Sequence, residues 1–166
     1  YNISYDTYLW LCSVLSDNKN KPVFVFGHPP IEGGVYHTTP VAGGFSGGFW
    51  RLLEDHGCVA AYICGHDHTY KAIQPNVSQA NTWHIINSPA GGSPRSAAGG
   101  DINAEDYANQ GFSFMNIKVN HDRKRIQFER WVTFTDNATG AWSLDDSFES
   151  SFEECLVPTC VENLSS

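Results

Sequence analysis

The chain has 166 residues, 41% hydrophobic and 13% aromatic, enough for one domain with a true core and too apolar for a disordered segment. Asp and Glu outnumber Lys and Arg by 18 to 10, for a formal charge of -8, which excludes the basic stripe of a nucleic-acid surface. No apolar run approaches the roughly 20 residues of a membrane span.

Tyr5, Tyr8, Leu9, Leu11, Cys12 and Leu15 recur at spacings of three and four and predict an amphipathic helix over 5–16. Asp17 to Pro22 is a turn. Val23-Phe24-Val25-Phe26 reads as a short strand buried on both faces, followed by a Gly/Pro-rich loop over 29–44. Phe49, Trp50, Leu52 and Leu53 belong to a helix over 46–56 stopped by Gly57, and a strand over 59–64 follows. The stretch 23–64 is therefore a βαβ unit with parallel neighbours. Strands are predicted over 70–73, 82–86, 112–119 and 125–134, with a second long loop over 88–110. Asn120-His121-Asp122-Arg123 is a tight turn, and the basic stretch Lys118 to Arg130 reads as a solvated hairpin around it. Residues 143–166 read as an acidic, Ser-rich tail on a single domain spanning 1–166. The fold class is α/β: a short parallel βαβ unit followed by mostly antiparallel strands.

In such sheets ligands bind beyond the carboxyl ends of the strands. Two strands here end alike, in Gly27-His28-Pro29 and Gly65-His66-Asp67-His68. Side chains two apart on an extended backbone point to opposite faces, so aiming His66 and His68 at one centre requires a bend, which Gly65 permits. Neutral imidazole binds zinc, iron and manganese, which makes His28, His66 and His68 candidate metal ligands. Asp67 projects away or braces a ligand. His37, in the 29–44 loop, is a candidate contact for a substrate phosphate, although an exposed loop histidine is the plainer reading. His84 sits in an apolar strand as a packed residue, and His56 near a helix end, where a cation suits the dipole. The five tryptophans read as core or interface packing.

Asn2, Asn76, Asn137 and Asn163 each open an Asn-x-Ser/Thr sequon, and four in this length predict a secreted glycoprotein. In an oxidising compartment Cys155 and Cys160 can close a short loop as a disulfide. That leaves Cys12, Cys58 and Cys64, an odd count, with Cys58 and Cys64 bracketing the second strand as inert core thiols. The start at Tyr1, without Met, suggests a processed chain or a piece of a longer one.

The two Gly-His motifs, in this order and each after a buried strand, resemble the C-terminal half of the calcineurin-like metallophosphoesterases. The likeness spans roughly residues 5–119 and includes Ser88-Pro89-Ala90-Gly91-Gly92. It implies half of a metallophosphoesterase-type α/β sandwich and a two-metal centre of divalent zinc, iron or manganese ions. His28 and His66 would bind one ion and His68 the other. A bridging hydroxide would attack a phosphomonoester or phosphodiester substrate. The family's N-terminal motifs, Asp-x-His, Gly-Asp-x-x-Asp and Gly-Asn-His-Asp/Glu, have no counterpart upstream of His28. Gly100-Asp101 and Asn120-His121-Asp122 imitate two of them, but no Asp lies between His68 and Asp101, and Asn120 falls in a turn. Two readings follow. One is the C-terminal portion of a secreted phosphoesterase, weak or inactive without its missing N-terminal half. The other is a non-catalytic secreted glycoprotein module whose open sheet is covered by that half or by self-association.

Overall fold

A computed structural model describes residues 4–18, 21–31, 45–74, 82–87, 112–133 and 140–152. Helix α1 spans Tyr5–Asp17. Its N-cap is Ser4, whose hydroxyl accepts from Thr7 N at 3.2 Å and so satisfies one of the first-turn donors. At its other end Asn18 Nδ2 donates to Val14 O at 2.8 Å. Strand β1 covers Val23–Phe26, helix α2 Phe45–Asp55 and strand β2 Val59–Cys64. Gly57 ends α2 with a φ of 70°, a left-handed conformation that needs no Cβ. Strands β3 (Tyr70–Ile73), β4 (Trp83–Asn87), β5 (Phe112–Asn120), β6 (Arg125–Thr133) and β7 (Ser143–Ser151) complete the order.

The strands form two sheets. The first runs β1-β2-β4-β3, with β1, β2 and β4 parallel and β3 antiparallel at one edge. The second is the antiparallel meander β5-β6-β7. The architecture is thus mixed α/β, a parallel segment followed by an antiparallel sheet. Strand β2 explains the layering, because all its residues but Ile63 are buried. Val59, Tyr62 and Cys64 join Leu11, Leu15, Trp50 and Leu53 in a core beneath the helices. Ala60 and Ala61 join Ile85, Ile126 and Phe128 in a second core between the sheets. The small alanines leave room there for a chain of rings: Phe24 on Phe128, Phe128 on Phe148 and Phe148 on Trp83, with centroids 6.2, 4.9 and 4.2 Å apart.

Three expectations change. Residues 143–151 are a strand, not a tail. Their acidic and Ser-rich composition hides a period of two in which Phe148 faces the core and Ser147 and Glu149 face water. Arg130 is not part of a solvated hairpin, being only 2% exposed, with its guanidinium 4.2 Å above the Tyr70 ring. A register shift between Arg130 and Trp131 leaves Asp145 as an extra residue on β7. That bulge lets Asp145 pair with Arg130 while the next residue, Asp146, accepts a 2.6 Å bond from Tyr70 Oη. The third concerns cysteine. Cys155 and Cys160 lie outside the described residues, and no disulfide joins two described cysteines. Cys58, expected as a thiol, is disulfide-bonded, whereas Cys12 and Cys64 are thiols. With five cysteines in the chain, an intrachain partner for Cys58 uses one of Cys155 and Cys160, so a Cys155–Cys160 bridge is withdrawn.

The turn at 121–124 does join β5 to β6, with Asn120 Oδ1 accepting from Arg123 N at 2.9 Å. Asn120-His121-Asp122 is therefore a hairpin turn and no part of the strand-end region. Among the described residues no helix is long and apolar enough to cross a membrane.

Phe128 has no exposed surface and bridges both sheets, whereas Phe114 on the outer face of β5 is 44% exposed. Phe128→Ala should lower the unfolding free energy by about 3–5 kcal/mol, and Phe114→Ala by under about 1 kcal/mol, read by urea titration.

Candidate functional site

The carboxyl ends of β1 and β2 lie side by side, and their hydrogen-bond ladder continues beyond the strands. Gly27 N donates to Ile63 O and Gly65 N to His28 O, both at 3.1 Å. Each motif thus fixes the other's backbone. The result brings two of the three predicted histidines together: His28 Nε2 and His66 Nδ1 are 3.2 Å apart, with ring centroids at 5.1 Å and planes 77° apart.

The bend is made differently from the expectation. Gly65 has no left-handed φ, and a Cβ there would meet nothing within 4 Å. The left-handed residues are His66, with φ 69°, and His68, with φ 56°. A three-residue turn around His66 is closed by Asp67 N donating to Gly65 O at 2.8 Å. Left-handed conformations at residues with a Cβ cost on the order of 1–3 kcal/mol each and concentrate at functional sites. The cost is met by burial next door, since Asp67 is fully buried and Thr69 nearly so.

Gly27 is the glycine with a steric reason. A Cβ on it would lie 1.9 Å from Tyr62 Oη. That hydroxyl donates to Pro29 O at 2.9 Å, so Tyr62 reaches from β2 beneath the first motif and pins the chain just past His28. Burial pushes the Tyr62 hydroxyl pKa up, and it stays a donor. Behind Tyr62, His84 stacks on its ring at 5.7 Å and meets Trp50 edge-on at 5.6 Å. His84 Nε2 accepts from Ile31 N at 3.1 Å, which assigns its proton to Nδ1. His84 is the packed residue its apolar strand implies, and it also supports the first motif through Ile31.

The metal expectation is overturned. Among the described residues, no group of three or more His, Cys, Asp or Glu side chains is placed to hold a metal ion. His28 and His66 are two imidazoles, one short of the three protein ligands that even an open zinc site uses. His68 does not complete the set, because its turn follows a second left-handed residue and separates it from the pair. The two-metal centre of zinc, iron or manganese is therefore not assembled by these residues, and no step below runs through one. Cys64, on the same strand end, has its thiol pushed up to about 12 by burial and then by Asp67, which keeps it protonated and inert. His37 and the sequon residues Asn2, Asn76, Asn137 and Asn163 lie outside the described residues.

His56 departs from its expectation as well. It is fully buried and donates from Nε2 to Leu15 O at 2.8 Å, tying the end of α2 to the end of α1. Burial lowers its pKa despite that bond, so it is a neutral strut and not a dipole-stabilised cation. The sequence signal for it was present in the apolar residues around it, but helix position alone favoured a charge.

No family model and no curated protein matches the chain.

The two glycines give opposite results on substitution. Gly27→Ala should destabilise by about 1–3 kcal/mol through the Tyr62 clash. Gly65→Ala should stay within about 0.5 kcal/mol of the parent in the same denaturant titration. A second expectation concerns pH. Burial, with Lys71 adding to it, pushes His84 down to about 4. The unfolded chain takes up this proton below pH ~6.5 and the folded chain resists until near 4. The contribution of a neutral His84 is thus fully present above pH ~6.5 and lost as the pH falls to about 4, on the order of 3 kcal/mol. His56 acts with the same sign. Urea midpoints across that range should fall steeply for the parent and less steeply for His84→Gln.

Proposed function

We propose that this chain is the C-terminal portion of a secreted phosphoester hydrolase of calcineurin-like type, and that it contributes the His28–His66 imidazole pair to the site. The observation that carries the reading is the joining of two Gly-His motifs at the carboxyl ends of adjacent parallel strands, with the rings 3.2 Å apart at their nearest nitrogens. Two hydrogen-bonded imidazoles can pass a proton between them and present N–H donors to phosphoryl oxygens. Binding and orienting a phosphomonoester or phosphodiester group is within the reach of such a pair. Hydrolysis needs groups to activate water and stabilise the leaving oxygen, and these would come from the rest of the protein. The four sequons support a secretory route.

A second reading is a non-catalytic glycoprotein module. It is favoured by the outer face of the antiparallel sheet, where Phe114, Trp142 and Leu144 remain 41–51% exposed and Phe114 packs against Trp131 and Trp142. Such a face suits packing against another layer of protein.

The readings separate in a titration with inorganic phosphate and phenyl phosphate, followed by the imidazole resonances in NMR. Under the first, His28 and His66 shift saturably, and His28→Ala or His66→Ala weakens binding about tenfold, the worth of one charge-assisted hydrogen bond. The chain alone shows no turnover of phenyl phosphate. Imidazole resonances that stay still up to solubility would leave the module reading standing.

A further inference from the structure

Strand β1 is an edge strand, with β2 on one side and, among the described residues, no strand on the other. Parallel pairing uses alternate residues. Val23 N donates to Cys58 O and Gly27 N to Ile63 O, which leaves the backbone groups of Phe24 and Phe26 directed away from β2. Exposed edges of this kind are normally blunted by charge, proline or a bulge on the outer side. This one has none within it: the sequence is Val-Phe-Val-Phe, and the only register shift, at Val23/Phe24, lies against β2. Its last residue, Phe26, is 71% exposed, the highest value among the exposed large hydrophobic side chains. By alternation Phe26 shares the face of Phe24, which packs on Phe128 between the sheets. On the opposite face, Val23 and Val25 pack into the cluster that contains Leu11, Cys12 and Leu15 of α1. The same helix leaves Leu9 40% and Trp10 62% exposed. Unused ladder groups and uncovered apolar side chains therefore coincide on β1 and the helix packed upon it.

We propose that β1 is an interface between two copies of this chain, paired antiparallel across a two-fold axis. A strand offered to its own copy in that orientation is complementary to itself, so each open N–H and C=O meets its counterpart. The first sheet becomes a continuous eight-stranded sheet with β1 paired to β1 at its centre. Phe26 of each copy covers the start of the other copy's β1, and α1 from both chains flanks the seam. A backbone partner is the occupant that the ladder requires; a small apolar ligand would leave its polar groups bare. The chain's charge of -8 opposes this approach at long range, so the pairing strengthens with salt, unlike a contact built on ion pairs.

The test is sedimentation of the intact chain over a wide concentration range in low and high salt, together with amide hydrogen exchange. The parent should sediment as a dimer, more tightly in high salt. The amides of Phe24 and Phe26 should gain protection as concentration rises, while that of Val25 is protected throughout by β2. Phe26→Lys, which puts a charge on the edge, and Phe26→Pro, which removes an outward donor, should both be monomeric and retain the Val25 protection of a folded sheet. A monomeric parent overturns the proposal. So does a dimer that both variants leave intact, or one in which Phe24 and Phe26 exchange at a concentration-independent rate.

Discussion

Two backbone hydrogen bonds, Gly27 N to Ile63 O and Gly65 N to His28 O, set the geometry on which the functional reading depends. They extend the β1–β2 ladder past the strands and make the two motifs one object. Everything around them serves to keep that crossing in place. Tyr62 rises from β2 under Gly27 and holds Pro29, and His84 and Trp50 hold Tyr62 from behind. The burial of β2 on both faces supplies the rigidity, since a strand fixed by helices on one side and a second sheet on the other cannot slide in register. The imidazole pair is thus carried by the stiffest part of the chain, although its rings reach the surface.

Much of the layout was legible in the amino acids. Apolar runs at 23–26 and 59–64 with a helix between them dictate parallel neighbours, and the alternation around Ile126 and Phe128 dictates a half-buried strand. What escaped was composition that misleads about periodicity. Ser143 to Ser151 has few apolar residues, and only the ring contact of Phe148 and the paired demands of Arg130 and Tyr70 make it a strand. Such demands come from residues remote in sequence, and local pattern does not show them. Arg130 illustrates the same limit. In the sequence it closes a basic cluster; in the fold its neighbours on either side face outward while it faces the interlayer space.

The site was legible in part. The pairing of His28 with His66 follows from two strands ending alike. The fate of His68 does not, because it is decided by two left-handed residues that the sequence would assign to glycine. With Gly65 in an ordinary conformation, the chain turns at His66 and again at His68, so the third imidazole does not join the first two. A histidine-rich motif thus yields a pair and not a cluster. The difference decides which chemistry the described residues can support: proton exchange and oxyanion contact, not assembly of a metal centre.

The bulge that places Asp145 and Asp146 side by side has a consequence for dissecting the molecule. Tyr70 begins the strand that leaves the histidine turn, and its hydroxyl is anchored 76 positions later by Asp146. Phe152 then closes the meander, buried against His121, with its amide on Lys124 O. A fragment cut after β6 would keep both Gly-His motifs. It would leave the Arg130 guanidinium buried without its carboxylate and the Tyr70 hydroxyl without an acceptor. The smallest autonomous unit that holds the histidine turn in shape therefore extends through Phe152, well beyond the last residue that belongs to the site.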